Sequence, residues 1–239
     1  MSFDNKAVEY YNKYWNGFKP ISNYKLSRIV SILNLLKLIK PHFDKLRILD
    51  SGCGDGRAVS IWNIIGDAVG IDQSDLAIKN ASEQFPFIKY YLGDVVGTEF
   101  ENEAFNVIIS QEVIEHIEQQ DQYISELFRI ISQDGYLILT TPNKSFFDRR
   151  NGGNWSNQPV EKLLRIKELK KLLKPYFTIV KLQTIIVAKA DHGVYKLLTS
   201  TLIKSLLNKI KLYSTYEALL EKANLGVHVV ILAKRNILP

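Results

Sequence analysis

Between residues 47 and 142 the hydrophobic positions change period repeatedly, and the two periods alternate. Residues 47–50, Arg-Ile-Leu-Asp, form a short apolar run that reads as a buried strand. Ala58, Ile61, Trp62 and Ile65 then recur at helical spacing and predict a helix over 57–65. Strand-like runs follow at 67–72, 87–92, 105–110 and 136–141. They are separated by a helix at 75–84, stopped near Pro86, and by another whose Tyr123, Ile124, Leu127, Phe128 and Ile131 face inward ahead of an Asp134-Gly135 turn. A helix over 166–173 and strands at 177–187 and 226–234 complete the series. Such alternation implies right-handed crossovers onto a mainly parallel sheet with helices on both faces, a doubly wound, seven-stranded α/β fold.

Three segments exceed what that sheet needs. Tyr10, Tyr11, Tyr14 and Trp15 precede an amphipathic helix over 24–40, stopped by Pro41, and residues 1–41 are expected to form a helical lid. Residues 143–159, rich in Asn, Gly and Ser, read as an irregular loop. In 193–224, Val194, Leu197, Leu198, Leu202, Leu206 and Leu207 are interleaved with lysines, which predicts one or two amphipathic helices. Lying between two core strands, they are expected to cap the acceptor and cover a sheet edge. A helix resting on a membrane surface is the other reading of the same pattern. The expected organisation is one domain over 1–239, with its core at 42–187 and 226–239 and a helical cap inserted at 188–225.

Thirty-one Lys and Arg against 25 Asp and Glu give a net charge of +6, which permits an anionic partner without choosing one. Cys53 is the only cysteine, which excludes an intramolecular disulfide and a CxxC metal knuckle and suits a reducing, cytoplasmic compartment. The N-terminal MSFDNKAVEY lacks the apolar core of a signal peptide, and Asn34 and Lys37 break the most apolar segment, so a soluble protein is expected.

The run Ile-Leu-Asp-Ser-Gly-Cys-Gly-Asp-Gly, residues 48–56, carries the chemistry. A glycine loop between a strand and its helix lets an elongated ligand lie against backbone N–H groups. A P-loop would need Lys-Ser/Thr after the last glycine, where Arg57-Ala58 stands. A dinucleotide site would space its glycines G-x-G-x-x-G, whereas Gly52, Gly54 and Gly56 alternate strictly, with Asp50 at the strand end. An acid there suits a cationic or hydroxyl-bearing ligand.

The segments LDSGCGDG, GIDQS, LGDV and SQEVIEH, at the ends of successive expected strands, resemble the cofactor motifs of the class I S-adenosylmethionine-dependent methyltransferases. The resemblance implies a Rossmann-like methyltransferase fold with S-adenosyl-L-methionine as donor and S-adenosyl-L-homocysteine as product. It places Asp50, Gly52, Cys53, Gly54 and Gly56 around the methionine moiety, Asp72 and Gln73 at the ribose, Asp94 and Val95 at the adenine, and Gln111 beside them. A carboxylate takes two hydroxyl protons in a bidentate way, and an acid-lined cavity tolerates a sulfonium. Singly, a glycine loop also serves a tight turn, Asp72 also caps a helix, and Asp94 also fits a turn.

Methyl transfer to a hydroxyl needs alignment and a proton acceptor, and His116 stands where such a base is wanted. Its plain structural reading is a helix-start histidine bonded to backbone. The EVIEHI form resembles that of quinone-pathway O-methyltransferases and implies a small-molecule acceptor with an oxygen nucleophile, among metabolites, quinones, lipids and sugars. Tyr11, Tyr14, Trp15, Asn143, Trp155 and Gln158 are the expected substrate contacts.

Glu112, Glu115 and His116 followed by Thr-Thr-Pro-Asn also resemble the metal-binding pattern of small-RNA 2′-O-methyltransferases. That family carries a further histidine soon afterwards, and residues 143–159 hold none. No dense basic run is present to grip a polynucleotide, so neither a metal nor a nucleic acid is expected. A non-catalytic cofactor-binding or interaction protein is the remaining reading. It is disfavoured by the intact Asp50, Asp72 and Asp94 set.

Overall fold

The computed structural model describes residues 5–17, 20–150 and 158–237. Its seven strands are β1 (Arg47–Ser51), β2 (Asp67–Asp72), β3 (Lys89–Leu92), β4 (Phe105–Gln111), β5 (Ile131–Pro142), β6 (Phe177–Ile185) and β7 (His228–Arg235). They form one sheet in the order β3-β2-β1-β4-β5-β7-β6. Six run in one direction, and β7 alone is reversed, antiparallel to its neighbours β5 and β6. The expected doubly wound, mainly parallel architecture is the one observed. Strand order reverses between β1 and β4, and the crevice outside the carboxyl ends of those strands is where such sheets bind ligands.

Preceding the sheet are α1 (Asn5–Tyr14) and α2 (Asn23–Ile39), the latter capped by Ser22, whose side chain accepts from Lys25 N. Within the sheet region lie α3 (Arg57–Trp62), α4 (Asp75–Gln84), α5 (Gln120–Ile130), the short α6 (Lys144–Phe147) and α7 (Ile166–Leu173). One face of the sheet is covered by Ile32, Leu35 and Leu36 of α2 with Val59 and Trp62 of α3, and the other by Tyr123, Ile124 and Leu127 of α5 with Leu169 and Leu173 of α7. Two apolar layers of this kind require strands that are buried on both sides. The continuous apolar runs of β4 and β7 meet that requirement.

The expected 193–224 segment forms three short helices, α8 (Gly193–Leu198), α9 (Thr201–Lys209) and α10 (Tyr213–Lys222), rather than one or two. A second difference concerns β5, which begins at Ile131 instead of after a turn at Asp134-Gly135. Ile131 pairs with Phe105, the register slips, and pairing resumes at Val107 with Tyr136. Gly135 sits in that bulge with Asn106 O 2.9 Å from where a Cβ would lie, so its missing side chain serves a close strand approach.

No helix among the described residues is long and apolar enough to cross a membrane.

Candidate active site

A cavity of about 320 Å³ lies at the carboxyl ends of β1, β2 and β4, roofed by side chains of α1 and α2. The glycine loop forms one wall. Gly52 and Gly54 have φ of +78° and +54°, the left-handed region in which a side chain is strained. A Cβ on Gly54 would lie 2.4 Å from the Trp15 ring, so the N-terminal aromatic cluster packs directly on this loop.

Asp50 is buried at the end of β1 and accepts from Trp62 Nε1 at 2.9 Å. Burial outweighs that bond and pushes its pKa up to about 7. Asp72, at the end of β2, is spanned by two backbone donors, Gly54 N at 2.8 Å on Oδ2 and Ser74 N at 3.0 Å on Oδ1. Burial raises its pKa as well, with the backbone bonds acting in the opposite direction. Each carboxylate oxygen has a second lone pair, so Asp72 locks the loop and still faces the cavity as an acceptor.

Cys53, Gln73, Val95 and Gln111 also line the cavity. The thiol of Cys53 is held protonated by burial and by the nearby acids. Asp94 accepts from Val96 N at 2.9 Å and shapes the turn that presents Val95, but it is not among the lining residues. Gly56 departs from its expected place as a ligand contact. It is the N-cap of α3, and a Cβ there would meet Tyr90 Oη at 2.6 Å and Ala81 Cβ at 2.8 Å, so it serves helix packing.

His116 lines the same cavity, from the single 3₁₀ turn after β4. Its Nδ1 lies 2.9 Å from Val160 O. A carbonyl oxygen only accepts, so Nδ1 carries the hydrogen and Nε2 keeps its lone pair. Burial lowers the pKa of the ring and favours the neutral form. Tyr11 stands edge-on to this imidazole, with ring centroids 6.4 Å apart, and donates its hydroxyl to Gln158 Oε1 at 2.7 Å. Tyr11, Tyr14, Trp15 and Gln158 thus line the same cavity.

Two expected substrate contacts are not found there. Asn143 is buried away from the cavity. Its Nδ2 donates to Gly226 O at 2.9 Å and to Asn224 O at 3.2 Å, and its Oδ1 accepts from Ser145 N, so its amide is consumed in joining β5 to the start of β7. Trp155 lies outside the described residues. Among the described residues, none from 193–224 lines the cavity.

Sequence reasoning missed Lys25 and Arg28, which sit three apart on α2 and line the cavity. Lys25 Nζ is 3.7 Å from Asp55 Oδ1, and burial lowers its pKa. Arg28 approaches Glu112 Oε2 at 3.7 Å, Gln111 Oε1 at 3.5 Å and His228 Nε2 at 3.4 Å. Glu112 has φ of +57°, in the left-handed region, and takes bonds from Thr140 Oγ1 and His228 Nδ1, each at 2.9 Å. Strain of that kind persists only where surroundings over-determine it. Asn12 was missed too: its Oδ1 accepts from Ser74 Oγ at 2.6 Å, tying α1 to the start of α4.

Glu112 and Glu115 are in opposite states. Burial raises Glu112, but Arg28 and His228 overcome it and hold the carboxyl well below the usual range. Glu115, 1% exposed, is raised well above it by burial and by the Glu112 charge. Its Oε2 accepts from Thr141 Oγ1 at 3.0 Å. Among the described residues no group of three or more His, Cys, Asp or Glu is placed to hold a metal ion. Arg28 supplies the positive charge at Glu112.

Comparison with known proteins bears on the family and the fold. Residues 49–139 match the family model described as a methyltransferase domain. Over that stretch the chain is similar to S-adenosylmethionine-dependent methyltransferases. It is 26% identical over 101 residues to a probable S-adenosylmethionine-dependent methyltransferase of Mycolicibacterium smegmatis, covering 42% of this chain and 39% of that one. It is 26% identical over 157 residues to a ubiquinone biosynthesis O-methyltransferase of Bartonella tribocorum, covering 60% and 63%. The chain therefore spans less than two thirds of the length of either relative.

Among solved structures, a protein from Pyrococcus horikoshii superposes with a TM-score of 0.64 at 18% identity, over 95% of this chain and 99% of that one. The [4+2]-cyclase SpnF superposes with a TM-score of 0.63 at 15% identity, over 93% and 86%. Likeness at that identity speaks for the fold alone. S-adenosylmethionine is the cofactor of the family, and the residues here fit it: acid-lined, with left-handed glycines whose Cβ positions would be filled.

Proposed function

We propose that this chain transfers a methyl group from S-adenosylmethionine to a hydroxyl oxygen of a small-molecule acceptor. The observation that carries the reading is that Asp50, Asp72 and His116 line one cavity, two acids beside the glycine loop and an imidazole whose Nδ1 is fixed on Val160 O so that Nε2 keeps its lone pair. S-adenosylmethionine, when bound, supplies an electrophilic methyl group on a sulfonium. Asp72 accepts from the ribose hydroxyls, Val95 packs on the adenine, and Asp50 with Lys25 faces the charged amino-acid end. Asp94 acts through the turn that holds Val95.

His116 takes the hydroxyl proton of the acceptor on Nε2 and gives it up to solvent, while Val160 fixes the ring. Tyr11, Tyr14 and Gln158 surround the acceptor, and Trp15 with α1 excludes water. The likeness to ubiquinone biosynthesis O-methyltransferases supports an oxygen nucleophile. The acid-bearing turn favours a small acceptor over RNA, because Arg28 stands at Glu112 where the metal-dependent reading needs a cation.

The test is incubation of the purified chain with methyl-labelled S-adenosylmethionine and separate lipid, saccharide, metabolite and RNA fractions, each with and without chelator. Label in a lipid, saccharide or metabolite fraction, insensitive to chelator, is expected. Label entering RNA and lost on chelation would overturn the proposal. S-adenosylhomocysteine binding with no transfer to any fraction would favour a non-catalytic role.

A further inference from the structure

Helices α8 and α9 turn aliphatic side chains to solvent. Val194 is 71% exposed, Leu197 66%, Leu202 82%, Leu206 62%, Ile210 55% and Leu212 51%. Val194 and Leu197 are three apart on α8, and Leu202 and Leu206 four apart on α9, so each pair shares one side of its helix. Neither helix buries a residue, so the apolar side expected to cover a sheet edge covers nothing among the described residues.

The segment is nonetheless held in place. Thr199 Oγ1 donates to Tyr195 O at 2.7 Å and accepts from Ala190 N at 2.9 Å. Tyr216 Oη donates to Leu198 O at 3.1 Å, the Arg149 guanidinium lies 4.0 Å from the Tyr195 ring centroid, and Leu220 of α10 is buried.

Charge narrows what could cover this surface. Lys196, Lys204, Lys209 and Lys211 are interleaved with the exposed aliphatics, and no Asp or Glu occurs between positions 192 and 216. A second copy of the chain joined by two-fold symmetry would set this cationic patch against itself. An anionic lipid surface satisfies both features, since lysines meet headgroups while the aliphatics enter the acyl boundary. We propose that the face formed by residues 193–212 docks on an anionic bilayer.

Topology gives the docking a consequence. β6 ends at Ile185 and β7 begins at His228, which pairs with Pro142 at the end of β5. The inserted helices are therefore rooted at the sheet edge where β1 and β4 also end, the edge that carries the cavity. A chain docked through this face holds its cavity edge on the bilayer side. The inference stands whether or not the chain transfers methyl groups.

The test is co-sedimentation of the full chain with phosphatidylcholine vesicles, with and without phosphatidylglycerol. Binding is expected only with the anionic lipid and should fall with added salt as surface charges are screened. Leu202→Glu/Leu206→Glu should lower the bound fraction about tenfold or more by removing apolar insertion and adding like charge to the lipid. Lys204→Gln/Lys209→Gln/Lys211→Gln should weaken binding to the anionic vesicles as well. All five positions are exposed, so both variants should keep the wild-type circular dichroism and melting curve. Failure of the wild type to sediment with anionic vesicles would overturn the proposal, as would retention by both variants. A wild-type dimer that Leu202→Glu/Leu206→Glu dissociates, with no vesicle binding, would make the face a contact between copies and overturn it equally.

Discussion

Glu112 Oε2 lies 2.9 Å from Nδ1 of His228, joining the turn after β4 to the first residue of β7. Arg28 of α2 completes the group, so three distant segments meet at the cavity wall. Side-chain exposures of 12% for Arg28 and 16% for Glu112 leave little solvent to replace a lost partner. Arg28→Met should therefore cost about 2–3 kcal/mol of stability, read from urea unfolding at neutral pH. The sign with pH follows from Glu112, whose carboxyl is held below its ordinary range. Its contribution is present above the ordinary glutamate pKa and is lost as pH falls from there through the folded value of about 2, and Arg28→Met should flatten that acid limb.

Asp50 has the opposite sign. Its pKa rises on folding from 3.8 to about 7, so the folded chain binds more protons between those values and loses stability as pH rises across them. Asp50→Asn should remove a loss on the order of a few kcal/mol, making the free protein more stable at pH 8 while weakening S-adenosylhomocysteine binding. Wild-type affinity should climb as pH rises through about 7, where the carboxylate ionises. Calorimetric titration across that range checks both statements, and a flat affinity profile would remove Asp50 from the ligand site.

Asp72→Ala should weaken S-adenosylhomocysteine binding by about 1–3 kcal/mol, because charge-assisted bonds are lost. It also releases both Gly54 N and Ser74 N, whereas Asp72→Asn removes the charge but keeps one acceptor oxygen for one of those two donors, so the pair of variants separates charge from loop bonding. If Asp72→Asn binds like the wild type, the role of the residue is to hold the loop.

The sheet was legible because its strands are buried on both faces and its helices on one, so the hydrophobic period switches cleanly at each boundary. β5 was misjudged at its start because Ser132 to Gly135 has turn chemistry, while the sheet absorbs those residues as a bulge beside Phe105. In the cavity, strand-end residues such as Asp50 and Asp72 could be placed from chain order alone. Lys25, Arg28 and His228 could not, since periodicity assigns a residue to a face and is silent about which distant segment meets it. The one available signal was the spacing of Lys25 and Arg28, three apart and so on one side of α2. Asn143 misled in the opposite direction, being a polar residue at a strand end whose bonds all serve the backbone.

His116→Ala should reduce turnover while leaving S-adenosylhomocysteine affinity within about twofold, since it leaves the glycine loop, Asp50 and Asp72 unchanged. General-base catalysis contributes roughly 10²–10⁴-fold, and that is the expected loss at neutral pH. Recovery of the lost rate with rising pH would fit a base, as hydroxide or an ionised acceptor takes over. Turnover equal to wild type at every pH would leave alignment as the source of rate and His116 as a structural residue bonded to Val160.

The two acids of the EVIEH turn offer a sharper test, because they sit three residues apart with opposite charge states. Glu115 is buried and protonated with its Oε2 on Thr141, so Glu115→Gln keeps a neutral, isosteric group and should cost less than about 1 kcal/mol. Glu112→Gln removes a charge that Arg28 faces and an acceptor that His228 Nδ1 faces, and should cost about 3 kcal/mol by leaving the Arg28 cation unbalanced in a largely dry site. Urea unfolding of both variants at pH 7 measures the difference. Equal costs would mean that the acids share one role, as joint ligands of a cation would. A large gap in the stated direction would mean that the arginine has taken over the charge balance of the turn.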